Sequence, residues 1–246
     1  MPSYKIYVIK KKPDFKNLFS SNWLDHVKPL RGDLEATSQK IESLKENYET
    51  IEIINNEKLA DEAYTLKYRF NMQLPGETMV WIPEDLKIIY RDNFLYISRG
   101  QGNIRFLIEK YLSANLDILP KDFKKKGLIN IWKNLEKQSN EIGFNVKLHR
   151  LILHKVFLEG DFLNEMNLST NNIQNIGYFK QLIQDSEEIR AITFKIRWNA
   201  LSSENEILKD ITSRLDSSGN LLVYGNHLKE SINRLLLTLS RCFSNR

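Results

Sequence analysis

The sequence predicts an α+β fold, with mixed or antiparallel sheets and packed helices in two pseudo-repeated halves. Three observations lead there. Runs of apolar/polar alternation, the strand period, recur along the chain. They are interleaved with segments whose apolar residues return at three- and four-residue steps, the helical period. Two of the alternating runs also echo one another across half the chain. Tyr64-Thr65-Leu66-Lys67-Tyr68-Arg69-Phe70 reads against Ile192-Thr193-Phe194-Lys195-Ile196-Arg197-Trp198. Each puts large apolar residues on one side and Thr, Lys and Arg on the other. Duplication explains the echo, and so does ordinary strand design.

In chain order, Lys5 to Ile9 alternates as a strand. Lys28-Pro29 and Arg31-Gly32-Asp33 mark a break, after which Asp33 caps a helix carrying Leu34, Ile41, Leu44 and Tyr48. Ile51 to Ile54 and Tyr64 to Phe70 read as strands, and Pro75-Gly76 as a turn. Thr78 to Ile82 and Leu86 to Tyr90 follow as two further strands. Arg91-Asp92-Asn93 then reverses the chain into Phe94 to Ser98, a hairpin. The turn Arg99-Gly100-Gln101-Gly102-Asn103 opens a helix with Ile104, Leu107, Ile108, Tyr111 and Leu112 on one face, which Pro120 stops. Lys121 to Gly127 is a basic connector, giving halves of 1–120 and 121–246.

The second half begins with a helix over Leu128 to Gln138 and strand structure over Phe144 to Leu158. Asn164 to Asn175 is polar and turn-rich, and a helix follows it to Gln184. Ala191 to Trp198 is the second echoing strand. Ser202 or Ser203 caps an expected helix with Ile207, Leu208, Ile211 and Leu215 on its apolar face. Ser217-Ser218-Gly219-Asn220 turns it into a strand over Leu221 to Tyr224. Gly225-Asn226 then opens an amphipathic helix through Leu228, Ile232, Leu235, Leu236, Leu239 and Phe243. On this reading the halves differ, since the first has hairpin strands where the second has a helix.

Composition narrows the class. The chain has 246 residues, 41% hydrophobic and 27% charged, which suits a globular protein with an adequate core. Lys and Arg total 36 against 31 Asp and Glu, a mild excess of +5. That excess is concentrated. Residues 121–160 hold nine basic and four acidic residues, an imbalance equal to that of the whole chain. The single cysteine, Cys242, excludes an internal disulfide and any multi-cysteine zinc site, and its apolar neighbours make it a packed small side chain. The first residues are too few and too charged for a signal peptide, and no apolar run is long enough to span a membrane. A cytoplasmic protein is the expectation.

No motif supports catalysis. Gly100-x-Gly102 stops short of a dinucleotide fingerprint because Arg105 stands at the third glycine position. No phosphate-binding P-loop, serine elbow or metal-ligand spacing occurs. The four histidines are scattered, and Trp23, Trp81, Trp132 and Trp198 read as core. We therefore expect no cofactor, no metal and no enzymatic activity. What remains is cationic. Lys67, Arg69, Lys195 and Arg197 project from strand faces at roughly 7 Å intervals, suited to tracking a phosphate backbone. Arg99 and Arg105 flank a helix-opening turn where an anion could sit. Lys124, Lys125 and Lys126 extend the basic surface. These residues predict a nucleic-acid-binding accessory protein within a larger nucleoprotein complex, for instance one of genome defence. Two other readings stay open: a protein-interaction or regulatory subunit docking through its amphipathic helices, and a metal-dependent nuclease with dispersed carboxylates.

Overall fold

A computed structural model describes residues 1–12, 14–18, 48–55, 63–73, 79–99, 104–124, 127–158, 160–171, 173, 177–198, 210–227 and 229–244. For 15–16, 48–55, 63–64, 66–73, 79–83, 104, 106–107, 158, 162 and 229 the description is of backbone alone. The helix expected from Asp33, the Pro75-Gly76 turn, the Gly100 to Asn103 turn and the Ser202 or Ser203 cap lie outside the described residues. The fold is α+β. The chain divides into two compact units, Tyr4–Pro120 and Met1–Ser3 with Lys121–Arg246.

In the unit Tyr4–Pro120 the strands are β1 (Ser3–Ile9), β2 (Tyr48–Asn55), β3 (Ala63–Gln73), β4 (Met79–Arg91), β5 (Phe94–Ser98) and β6 (Ile118–Pro120). They order as β2-β3-β4-β5-β1, with β6 on β1, and these pairings are antiparallel. The one-turn helix α1 (Phe15–Leu18) and α2 (Ile104–Asn115) complete the unit. The Tyr111 hydroxyl donates to the Leu18 carbonyl. β5 lies inside this sheet, between β4 and β1, and Phe94, Leu95, Tyr96 and Ile97 are buried on both of its faces. Asp92 and Asn93 sit at φ 43° and 67° between the paired residues Arg91 and Phe94. Two positive-φ residues in a two-residue loop are what a type I′ turn requires, and Asp and Asn tolerate that conformation best after glycine.

The two strands expected on either side of Pro83 are one. β4 pairs with β3 without interruption from Met79 to Ile89. Pro83 lacks an N–H, which normally excludes it from a strand flanked on both sides. Here β5 reaches only Ile88 to Arg91, so at Pro83 the sole strand neighbour among the described residues is β3.

The second unit holds α3 (Gly127–Ile142), β7 (Phe144–Leu158), β8 (Asp161–Ser169), α4 (Phe179–Asp185), β9 (Ser186–Trp198), β10 (Ile211–Asp216), β11 (Asn220–Tyr224) and α5 (Lys229–Ser244). Its strands order as β8-β7-β9-β10-β11, and these pairings are antiparallel. α3 packs on β7, β9 and α5. It buries Leu128, Ile131, Trp132 and Leu135, while α5 buries Ile232, Leu235, Leu236, Leu239 and Phe243. The Phe123 and Phe243 rings approach to 5.2 Å between centroids. Asn134 donates its side-chain amide to the Cys242 carbonyl at 2.9 Å. Cys242 is buried, and that burial pushes its thiol up to about 12.

Two expectations are corrected here. The polar run after Asn164 begins inside β8, a strand through Ser169. Ile211 and Leu215 belong to strand β10 and not to a helix; they stand opposite Ile196 and Ile192 of β9. The reason is Ser213. It lies between them on the inward face, fully buried, so polar serine interrupts the apolar alternation. Among the described residues the second half therefore also has a strand hairpin at this place. Among the described residues each unit carries three antiparallel strands followed by a helix: β3-β4-β5-α2 in one and β9-β10-β11-α5 in the other.

The β10–β11 turn is clasped by the connector. The Phe123 amide donates to the Ser217 carbonyl at 2.7 Å. Gly219, at φ 79°, sits so close to the connector that a Cβ there would lie 2.2 Å from the Lys121 carbonyl oxygen. Gly160 also has positive φ, 97°, but nothing within 4 Å of a Cβ. Gly219→Ala should therefore lower the free energy of unfolding by about 3 kcal/mol, strain plus displaced backbone, and Gly160→Ala by about 1 kcal/mol. Urea unfolding midpoints measure both, and equal losses would mean that the clasp yields freely.

Candidate functional site

Residues directly opposite one another in an antiparallel pair share a face of the sheet. In the second unit, Leu148, Phe194, Ser213 and Val223 form one such row across β7, β9, β10 and β11, and all four are buried. The Arg234 guanidinium of α5 lies 5.5 Å from the Trp198 ring centre, and Trp198 shares this face, so α5 covers it. The alternate rows point the other way. One runs Lys147, Lys195, Thr212, Tyr224, and the next runs Arg150, Thr193, Arg214, Leu222. Arg197 continues the face opposite Asn145. Strands are about 4.8 Å apart and successive rows roughly 7 Å apart.

Arg150 joins this set through a β-bulge. β7 advances from Leu148 to Arg150 while β9 advances only from Phe194 to Thr193, which leaves His149 as the extra residue. A bulge of this kind re-aims every later side chain on its strand. The bulge is held from the other side, where the Thr170 amide donates to the His149 carbonyl at 3.0 Å. Beyond it the face closes, since Ile152 and Ala191, again opposite one another, are buried.

Five cations share this face with two carboxylates, one just before β10 and one at its end. Lys147, Arg150, Lys195, Arg197 and Arg214 lie with Asp210 beside Arg197 and Asp216 one row beyond Arg214, the latter accepting from Asn220 at the start of β11. Asp210 takes Arg197 in a two-pronged grip, Nε to Oδ1 and Nη2 to Oδ2, each at 2.6 Å. Lys195 Nζ reaches the same Oδ2 at 2.6 Å. The Arg197 hydrogen bonds, followed by Lys195, hold the Asp210 carboxyl far below the usual carboxylate range, with burial opposing. Arg197 is raised in turn by the same hydrogen bonds. Arg150 Nε donates to Asn167 Oδ1 at 2.8 Å, which fixes its guanidinium. Lys147 is exposed and Arg214 half-buried, and neither forms an ion pair among the described residues.

The other expected site residues lie elsewhere. Lys67 and Arg69 belong to β3 of the other unit, where the register places Lys67 between Glu52 of β2 and Asp85 of β4, and Arg69 opposite Pro83. The register thus sets acidic residues opposite Lys67 on both flanking strands, whereas Lys195 stands opposite Lys147 and Thr212. Arg105 is drawn into a helix pair with Glu109 at 2.8 Å. The buried Tyr7 hydroxyl also bonds to Glu109, and burial followed by that contact drives its ionisation far upward. Arg99 is exposed at the end of β5. Lys124 is exposed, 4.0 Å from Asp122, and Lys125 and Lys126 lie outside the described residues.

The charge concentrated in residues 121–160 is dispersed in space. Lys133 and Lys137 stand on the solvent side of α3, Lys147 and Arg150 on the sheet face, and Lys155 pairs with Glu187 at 3.0 Å. Trp132 and Trp198 are buried. The apolar stripe of α5, a docking face in the protein-interaction reading, is consumed by the core of its own unit. Among the described residues no three His, Cys, Asp or Glu side chains converge as metal ligands, and no helix is long and apolar enough to cross a membrane.

A carboxylate with a depressed folded-state pKa stabilises above its unfolded value and loses that contribution as pH falls through the folded one. The stability difference between the wild type and Asp210→Asn should therefore persist from pH 7 to about 4, the ordinary carboxylate range, and vanish only in stronger acid. Urea midpoints across that range test it, and a difference already gone at about pH 5 would contradict the grip on Asp210. No protein-family model matches this sequence and no curated protein matches it significantly, so the functional reading rests on the geometry of this face.

Proposed function

We propose that this chain is a non-catalytic nucleic-acid-binding accessory protein that holds the phosphate backbone on the outer face of β7, β9 and β10. One observation carries the reading. Five cations from three adjacent strands converge on a single sheet face, on the side away from α5, against two carboxylates, Asp210 and Asp216, of which only Asp210 ion-pairs with them among the described residues. Solvation of an exposed face needs polar residues, but not five cations in neighbouring rows, where like charges repel. A polyanion relieves that repulsion, and displacing its counterions adds a favourable entropy. Arg150 and Arg197 offer planar donor forks suited to phosphate oxygens, and Lys147 and Lys195 act as point charges. Thr193 and Thr212 place hydroxyl side chains between them.

Of the residues expected from sequence, the proposal keeps Lys195 and Arg197 and adds Lys147, Arg150 and Arg214. Contacts of this kind position a nucleic acid without reading its bases, so binding is weakly sequence-specific and falls steeply with salt. Assembly with a protein partner in a larger nucleoprotein complex, in the cytoplasm, fits such an accessory role.

The triple variant Lys147→Glu, Arg150→Glu, Arg214→Glu spares the Asp210 ion pairs. It should bind labelled oligonucleotides about 100-fold more weakly, with a salt slope shallower by about three. The pair Lys133→Glu, Lys137→Glu on α3 should change little. Unaltered binding by the triple variant, measured by fluorescence anisotropy over a KCl series, would remove the basis of the proposal.

A further inference from the structure

The geometry of Asp210 points to a function for the carboxylate itself. We propose that Asp210 is a built-in competitor for phosphate, which keeps Arg197 and Lys195 occupied until a polyanion displaces it. The inference rests on the nucleic-acid reading above and concerns how that face is regulated.

The grip resembles the ligand's own. Two parallel N–H···O bonds from one guanidinium are how arginine holds either a carboxylate or a phosphate. Asp210 Oδ1 and Oδ2 therefore stand where two phosphate oxygens would stand, and Lys195 supplies the third contact. Exposure says which partner moves. The Asp210 side chain is 21% exposed, whereas that of Arg197 is 67% exposed and that of Lys195 is 35% exposed. The carboxylate is embedded at the entry to β10, and the arginine can swing into solvent without disturbing the sheet. An ion pair this exposed is weak enough to be exchanged.

The five cations then work in two groups. Lys147, Arg150 and Arg214 carry no ion pair among the described residues and meet an incoming anion first. Arg197 and Lys195 join only when a second phosphate, brought close by the first contacts, outcompetes Asp210. A single phosphate or a sparse acidic peptide engages the first group alone. A strand with closely spaced phosphates engages both. Asp210 thus sets a threshold of charge density, which separates nucleic acid from the weaker anions of a cell extract.

The test is binding of a fluorescein-labelled 20-nucleotide single strand to the full chain by anisotropy over a KCl series. Asp210→Asn should bind about fivefold tighter, with a salt slope steeper by about one. Asp210→Glu, which keeps the competing charge, should stay near the wild type. Removing a negative charge at a distance is controlled by Glu165→Gln, whose partner Arg190 lies 3.6 Å away at the far end of the sheet. That variant should shift affinity less than twofold. The decisive comparison is made in a Lys195→Ala, Arg197→Ala background, where competition has no object and the gain from Asp210→Asn should disappear. A gain that persists there, or no gain in the parent background, overturns the competitor and leaves the binding face standing. Undiminished binding by the Lys147, Arg150, Arg214 triple variant overturns the binding face and the competitor with it. Asp210→Ser repeats the measurement should the Asn variant lose its thermal transition.

Discussion

The pairing of β7 with β9 governs the second unit, because it decides which residues of two long strands share a face. The bulge at His149 is the critical point in that pairing. Were His149 paired in regular alternation and not bulged, the cationic and apolar sets of β7 would exchange faces beyond Leu148: Arg150 would turn toward the helices and Leu151 outward. With it, Leu151 meets Ile192 in the core and Arg150 joins Lys147 on the outer side. The ladder supplies the hydrogen bonds that make such a local irregularity tolerable, and α3 seals the apolar face behind it. The outer face is thus a by-product of core packing, and its charge pattern follows from register.

Similar heptapeptides meet different fates in the two units. In β9 the neighbouring strands bring further cations, Lys147 opposite Lys195 and Arg214 opposite Thr193. In β3 they bring acids, with Glu52 and Asp85 both opposite Lys67. A strand's own sequence fixes which way its cations point. Whether those cations sum to a field depends on its neighbours, which lie elsewhere in the chain. Local pattern therefore reveals a candidate residue more readily than a candidate surface.

That difference measures how far the sequence could be read. Both echoing strands, the extent of β7 and the apolar stripe of α5 follow from periodicity, and the β4–β5 hairpin follows from the polar turn Arg91-Asp92-Asn93 between two apolar-aromatic runs. β10 escaped because buried Ser213 hides its alternation and leaves Ile211 and Leu215 at a spacing that suits a helix equally. Arg214 escaped with it. Lys147 and Arg150 were visible as charge but not as a pair, because they are three positions apart and an unbroken strand would send them to opposite sides. Asp210 could not be found from sequence, as nothing local ties it to Arg197. Arg105 was visible, but Glu109, one helical turn on, already occupied it.

The clasp around the β10–β11 turn also bears on how the second unit is made. The Phe123 amide needs the Ser217 carbonyl, and the Pro2 carbonyl accepts from the Val223 amide at 2.9 Å. Both contacts join residues that are far apart in sequence and so close late in folding. During synthesis, β7 to β9 emerge well before the hairpin that completes their sheet, and the first residues of the chain wait longer still for theirs. The β10–β11 hairpin, which follows both in the chain, is then the piece that locks the connector at Phe123 and the backbone at Pro2 into place.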